Sequence, residues 1–200
     1  MVKFSDNSFL PLSLDSVVKL SLKKGQSVDS SKYQEILNSS LLFLLKEYAL
    51  RQIAISPKTS KILSFKLTRF FSKTVRKYQI NSPPPAQSFI QETLLYLENQ
   101  GLLDQKNYVD YFLRRHSRKS TRRLKMLLLK QGIEPQFLPH SLISASEEIK
   151  KIKNILGKKN QREKDLSDYK TKNKVMISLA RKGFSYPDIK MAIDEINNLS

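Results

Sequence analysis

The chain has 200 residues, 36 of them Lys or Arg and 18 Asp or Glu, for a formal net charge of +18. Cysteine is absent, which excludes disulfides, iron–sulfur clusters and thiolate zinc sites, and the scarcity of glycine, at five, disfavours a Rossmann fold, a P-loop enzyme or a barrel of many tight turns. The longest strongly apolar run, Leu41 to Leu45, stops at Lys46-Glu47, well short of the roughly 20 residues that span a bilayer. The first residues also lack a basic-then-apolar leader, so the expectation is a cytosolic protein, away from membranes, with a polyanionic partner.

Residues 1–30 read as an N-terminal extension: a short strand, a short helix and a turn at Lys24-Gly25, without a core of their own. From Ser31 the apolar period becomes helical, with Leu37, Leu41, Leu44 and Tyr48 on one side and Ile36 and Leu45 widening the stripe. Ser56-Pro57 breaks the chain. A helix starts near Thr59 or Ser60, with Leu63, Leu67, Phe70 and Thr74 on its inner face. Pro83, Pro84 and Pro85 enforce a loop, and Ala86 to Gln100 resumes a helix through Ile90, Leu94 and Leu97, with Gly101 at its C-cap.

Asp104 is placed to cap the next helix, whose apolar positions are Tyr108, Tyr111 and Phe112. A basic bend at Arg118-Lys119-Ser120 leads into a helix carrying Leu124, Leu127 and Leu128, which Gly132 stops. Pro135 opens a short helix with Phe137 and Leu138, and Leu142 near its end. Ser146 precedes a helix with Ile149, Ile152, Ile155 and Leu156. Residues 157–168 are polar and read as the least ordered interior segment. Val175 and Leu179 mark another helix ended by Gly183, and Ser185 caps a last one with Ile189, Ala192, Ile193 and Ile196. These are about nine helices, each too short to persist alone in water, so packing between neighbours must order them.

Two stretches align at a separation of 51 residues: Leu128-Leu129-Lys130-Gln131-Gly132-Ile133 and Leu179-Ala180-Arg181-Lys182-Gly183-Phe184. Each closes one helix on a glycine and leads directly into a shorter one. The repeating unit is therefore three helices. The expected division is an extension over 1–30, a degenerate first repeat over 31–100 that lacks the glycine, a second over 101–144 and a third over 145–200. The expected fold class is all-α, an elongated curved array of these repeats, with short β structure confined to the extension.

Charge is segregated along the chain. Between Glu47 and Glu92 there are eight basic residues and no acid, among them Lys66, Arg69 and Lys73. Between Asp110 and Glu134 there are again eight and no acid: Arg114, Arg115, Arg118, Lys119, Arg122, Arg123, Lys125 and Lys130. A third run from Lys150 to Lys164 is diluted by Glu163. Like charges so crowded repel one another, and a polyanion that releases counterions on binding lowers that cost. Arg114 to Arg123 straddle one helix–helix corner, which can offer several side chains to phosphates or carboxylates.

Catalytic chemistry has little to stand on. His116 lies in a basic run with no neighbouring carboxylate to orient it, and His140 sits beside Pro139 in a region without acids. Asp104 and Asp110 do not cluster as a metal-dependent nuclease needs, and neither Gly132 nor Gly183 is followed by the Lys-Ser/Thr of a phosphate-binding loop. No enzyme activity, cofactor or metal is expected.

The run Gly101-Leu102-Leu103-Asp104-Gln105-Lys106-Asn107-Tyr108, continuing to Tyr111-Phe112 and Arg114-Arg115, resembles the RecX family, whose pattern is Gly-Leu/Tyr-Leu-Asp-Asp-x-x-Phe followed by an aromatic and basic residues. Gln105 replaces the second acid and Tyr108 the phenylalanine. Arg118-Lys119, Leu124, Leu128 and Lys130-Gln131-Gly132-Ile133 resemble the next block of the family, without the glycine usual near Ser120. Leu179 to Phe184, with Ile189, resembles the matching block of its third repeat, while Thr59 to Leu67 is a poor copy of the first. The extension also resembles that of some members, through Leu12 to Leu14, Leu22-Lys23-Lys24-Gly25 and Val28.

The resemblance implies tandem three-helix repeats that bind in the groove of the RecA–DNA filament. It implies restraint of ATP hydrolysis, strand exchange and coprotease activity, and so modulation of DNA repair, recombination and the SOS response, with direct binding to single- or double-stranded DNA as well. A monomer is expected. The competing reading is a DNA- or RNA-binding helical protein that acts without RecA.

Overall fold

Among the described residues, five helices end in the same hydrogen-bonded device. The structure, a computed structural model, describes residues 1–5, 8–138, 145–160 and 168–197. Its elements are β1 (Val2–Lys3), β2 (Phe9–Leu10), α1 (Leu14–Lys19), α2 (Ser30–Ile55), α3 (Ser60–Lys77), α4 (Ala86–Asn99), α5 (Gln105–Arg115), α6 (Thr121–Lys130), a 3₁₀ turn (Pro135–Phe137), α7 (Ala145–Asn160), α8 (Tyr169–Arg181) and α9 (Tyr186–Asn197). Met1–Asp104 and Gln105–Ser200 are two compact units.

At the end of α6, Ile133 N–H donates to the Leu128 carbonyl (3.1 Å) and Gly132 N–H to that of Leu129 (3.0 Å). The same pair closes α8, from Phe184 to Leu179 (3.3 Å) and from Gly183 to Ala180 (2.8 Å). Both are Schellman ends, which need positive φ at the residue past the cap; Gly132 has φ 83° and Gly183 φ 92°. Gly101 (φ 67°) closes α4 likewise. Two further ends put a side chain in that position: Ser21 after α1 and Gln79 after α3, at φ 48° and 51°. Gln79 thus stands after α3 as the glycines stand after α6 and α8, and Ile80, which donates to the Val75 carbonyl, folds back buried over the helix as Ile133 and Phe184 do.

Helix starts follow the capping residues. Thr59 Oγ1 accepts from Ile62 N–H, Ser120 Oγ from Arg123 N–H, Asp168 Oδ2 from Thr171 N–H and Ser185 Oγ from Asp188 N–H. Hydrogen bonding to Thr171 holds the Asp168 carboxyl below its ordinary range.

In Met1–Asp104, α2, α3 and α4 form a three-helix cluster. Its core comprises Ile36, Leu37, Leu41, Leu45 and Ala49 of α2, Leu63, Leu67 and Phe71 of α3, and Ile90 and Leu97 of α4. All three helices differ in part from the sequence reading. The buried face of α2 runs through Ser40 and Ala49, leaving Leu44 and Tyr48 half-buried, because small residues there fit between close-packed helices. Phe71 rather than Phe70 is buried on α3, and Phe70 stacks on Tyr48 instead, with ring centroids 4.1 Å apart. Leu94 is half-buried, and Thr93 takes the inward position, its hydroxyl donating to the Phe89 carbonyl.

The N-terminal extension docks on this cluster. β1 and β2 pair antiparallel, Val2 opposite Leu10 and Lys3 opposite Phe9, and Leu10 and Leu12 are buried in the same core.

In Gln105–Ser200, α7, α8 and α9 form a second three-helix cluster around Ile149, Ile152, Ile155, Leu156, Val175, Leu179, Phe184, Ile189, Ala192 and Ile193. Helix α7 runs on to Asn160, past the point where the polar segment 157–168 begins; residues 161–167, Pro139, His140 and Leu142 lie outside the described residues. On α5, Val109 is buried with Tyr108 and Phe112, while Tyr111 is half-buried; on α6, Thr121, Leu124 and Leu128 are buried and Leu127 half-buried. Burial, and then Tyr111 beside it, pushes the Tyr108 phenol above its ordinary pKa, and its hydroxyl bonds to the side chain of Gln131.

Candidate nucleic-acid interface

Helix α5 ends with Arg114 and Arg115, where cations suit the negative end of the helix dipole. Both are exposed. Arg114 Nε donates to the Asp110 carbonyl (3.3 Å) and an Arg115 guanidinium nitrogen to the Tyr111 hydroxyl (3.1 Å). Arg118 is exposed and Lys119 half-buried in the bend that follows. Arg122 and Arg123, both exposed, occupy the first turn of α6, where a helix dipole disfavours cations. Lys125 is half-buried, and Lys130 is exposed in the last turn of α6. Among the described residues, no ion pair engages Arg114, Arg115, Arg118, Arg122 or Arg123.

This first turn of α6 is bolted down from two sides. Ser120, 2% exposed, donates its N–H to the Lys182 carbonyl (3.1 Å) and its hydroxyl to the Gly183 carbonyl (2.7 Å) at the end of α8. Glu148, in the first turn of α7, accepts from Thr121 N–H (3.1 Å) and from the Thr121 hydroxyl (2.6 Å). Lys151 donates to the same carboxylate oxygen and to Thr121 Oγ1, closing a small network. Gly183 lies so close that a Cβ there would stand 2.6 Å from Arg123 Cβ. Glu148 supplies the negative charge that the sequence of α6 itself lacks at this end. It lies 27 residues from Thr121, and no local pattern announces the contact.

His116 follows α5, its ring 4.4 Å from that of Phe112. Burial, then Lys119 and then Arg115, hold its pKa below the ordinary value, favouring the neutral imidazole.

The other predicted site residues lie on α3. Arg69 and Lys73 are exposed, whereas Lys66 is half-buried and donates to Gln52 of α2 (2.7 Å). Phe65, absent from the sequence-based candidates, is 65% exposed beside them, with the Arg69 guanidinium 5.7 Å from its ring centre. Its place two residues off the stripe of Leu63 and Leu67 is the signal that could have found it. The third basic run is partly spent within the fold: Lys151 pairs with Glu148, and Lys153 with Glu195 of α9. Gly101, Gly132 and Gly183 all close helices with positive φ, and Asp104 immediately precedes α5. Among the described residues no His, Asp and Glu side chains gather as a metal site, and no helix is long and apolar enough to cross a membrane.

Residues 146–193 match the family model for the third three-helix domain of RecX. The regulatory protein RecX of Clostridium botulinum (strain Alaska E43 / Type E3) is 24% identical over 192 residues, covering 94% of this chain and 84% of its own. That of Staphylococcus aureus (strain JH9) is 26% identical over 200 residues, covering 97% of this chain and 68% of its own. Two solved structures share the fold: a crystal structure of regulatory protein RecX (TM-score 0.60, 19% identity, 96% of this chain and 91% of that one) and RecX from Lactobacillus salivarius (TM-score 0.53, 24% identity, 78% and 97%).

Proposed function

We propose that the chain is a RecX-family protein and acts as a regulator rather than a catalyst: it binds the RecA–DNA filament in the cytoplasm and restrains its ATPase, recombinase and coprotease activities. We read α2–α4, α5–α6 with the turn at Pro135–Phe137, and α7–α9 as three repeats. The observation that carries the reading is the corner from Arg114 to Arg123, where five arginines are unpaired by any carboxylate of the described chain while the turn beneath Arg122 and Arg123 is held rigid. A polyanion meets several preplaced donors there, and little ordering is left to do on binding.

Inhibition by such a surface needs no active site. It needs only tighter binding to one filament state than to another, because a ligand shifts an equilibrium by its differential affinity alone. Lys125 and Lys130 extend the corner along α6, and Arg69 and Lys73 supply a second basic face on α3.

The test is RecA ATPase on single-stranded DNA, titrated with this protein at substoichiometric ratios. Inhibition by the native chain is expected, and the double reversal Arg122→Glu with Arg123→Glu should weaken it at least tenfold with far-UV circular dichroism unchanged, for a loss of about 1.4 kcal/mol or more. A folded native chain without effect on the ATPase refutes the function, and an undiminished double variant refutes the corner. Affinity for the filament against naked single strands of equal phosphate content separates a filament regulator from a plain nucleic-acid binder.

A further inference from the structure

We propose that the outer face of α3 is a binding site for unpaired nucleic acid, with Phe65 as the ring on which a base stacks. The inference deepens the filament reading, and rests on its premise that a single strand is part of the partner.

Phe65 is the anomaly that leads to it. The inner face of α3 is Leu63, Leu67, Phe71 and Thr74. Phe65 falls off that stripe and stands 65% exposed, on a helix with apolar neighbours to pack against. Its surroundings are uniform. Lys61 lies one turn before it and Arg69 one turn after, with Lys73, Arg76 and Lys77 beyond. Residues four apart share a helix face, so Lys61, Phe65, Arg69 and Lys73 form a single line. All four are exposed, as are Arg76 and Lys77. No acid occurs anywhere on α3, and among the described residues no ion pair engages Lys61, Arg69, Lys73 or Arg76. The Arg69 guanidinium, 5.7 Å from the Phe65 ring centre, is within cation–π range.

The occupant must use both features. A duplex offers phosphates to the cations, but its bases are closed in the stack and give the ring nothing. A run of carboxylates alone likewise leaves the ring idle. An unpaired strand satisfies both, its backbone tracking the cations while one base lies on the ring. The Thr68 and Ser72 hydroxyls on this side spend their protons on the carbonyls of Ser64 and Thr68 (3.0 and 3.1 Å), and the ring face accepts any base. Recognition is therefore tolerant of sequence and steeply dependent on salt.

The experiment uses the full chain without RecA. Fluorescence anisotropy is read on labelled oligo(dT) and on a duplex of equal phosphate content, for the native protein and for Phe65→Ala, Phe65→Leu and Phe65→Tyr. Alanine and leucine should each weaken single-strand binding about 5- to 100-fold, as loss of one stacking platform does, with duplex affinity and the salt slope kept. Tyrosine should bind within about twofold of the native chain, since it keeps the ring face. A 2-aminopurine base in the strand should be quenched on binding by the native protein and not by Phe65→Leu. Phe65→Leu binding like the native chain, an equal loss on duplex, or the same Phe65 dependence with polyglutamate as ligand each overturns the site. The two readings fail separately. Inhibition of RecA without any Phe65 dependence on naked strands removes this site alone, and Phe65-dependent strand binding without inhibition removes the filament reading alone.

Discussion

Replacing Gly183 by alanine adds one methyl group at a tightly enclosed glycine. The new Cβ would stand 2.6 Å from Arg123 Cβ and 2.7 Å from Ser120 Oγ, and the backbone there has φ +92°. The positive φ costs a non-glycine residue roughly 1–2 kcal/mol, of which roughly 0.4–1 kcal/mol returns through the stiffer unfolded chain. Forcing the methyl group between Arg123 and Ser120 adds the cost of overpacking, about 1–3 kcal/mol. The expected total is about 2–4 kcal/mol, with loss of order where the first turn of α6 meets the end of α8. Gly101→Ala is the internal control: φ is +67° but nothing lies within 4 Å, so only the backbone part remains, about 1 kcal/mol or less. Urea unfolding followed by tyrosine fluorescence and circular dichroism measures both, since the chain has eight tyrosines and no tryptophan to obscure them. Each variant is read in the transition of its own unit, and hydrogen exchange should show faster opening at Ser120–Arg123 in Gly183→Ala only. Equal destabilisation by the two alanines, or a Gly183→Ala chain within 1 kcal/mol of the native one, would refute the tight junction.

Two further outcomes follow from helix ends. Gln79→Gly should stabilise Met1–Asp104 by about 0.5–1 kcal/mol, because glycine relieves the left-handed strain at φ 51° and loses part of the gain to unfolded-state entropy; a lower urea midpoint for that unit contradicts it. His116 makes stability depend on pH in a defined direction: its folded pKa lies below the ordinary 6.5, first through burial and then through Lys119 and Arg115. Between those two values the unfolded chain holds more protons, so its contribution is full above the unfolded pKa and is lost as pH falls through the folded one. Urea midpoints from about pH 5 to 7.5 should rise with pH in the native chain and flatten in His116→Gln, and an unchanged slope in the variant removes the assignment.

How far the sequence could be read depended on whether the signal was local. Thr59, Ser120 and Ser185 start helices, and Gly101, Gly132 and Gly183 stop them, because capping is settled within a few residues. Ile149, Ile152, Ile155 and Leu156 showed the inner face of α7 because polar residues fill the rest of that helix. Helix α2 gave no such phase. Its run from Leu41 to Leu45 is apolar on every side, so Ser40 and Ala49 were missed as inward positions. Adjacent phenylalanines hid the choice between Phe70 and Phe71 in the same way. Gln79 was invisible for a different reason: glutamine does not favour positive φ, and only the five-residue spacing from Val75 to Ile80 matches the other helix ends. The basic runs were legible as charge, but Phe65 and Glu148 acquire their roles only through neighbours supplied by the fold.

Glu148 bears on why the arginine corner takes the form it does. Arg122 and Arg123 stand at the second and third positions of α6, where each cation faces the positive end of the helix dipole at a cost of roughly 0.3–1 kcal/mol. A sequence selected for stability alone would place acids there. This chain instead borrows its acid from α7: the Glu148 side chain, 12% exposed, satisfies Thr121 at the backbone and the hydroxyl, and leaves both arginine heads free. Ser120 completes the fixing through the end of α8. The local rule is broken at two consecutive residues, and the compensation comes from two other helices, the pattern expected where surface charge serves binding rather than folding. Arginines held on one rigid turn lose less freedom when a polyanion arrives than the same residues on a loop would. The shape of the corner therefore depends on the cluster formed by α7, α8 and α9, although none of its five arginines belongs to that cluster.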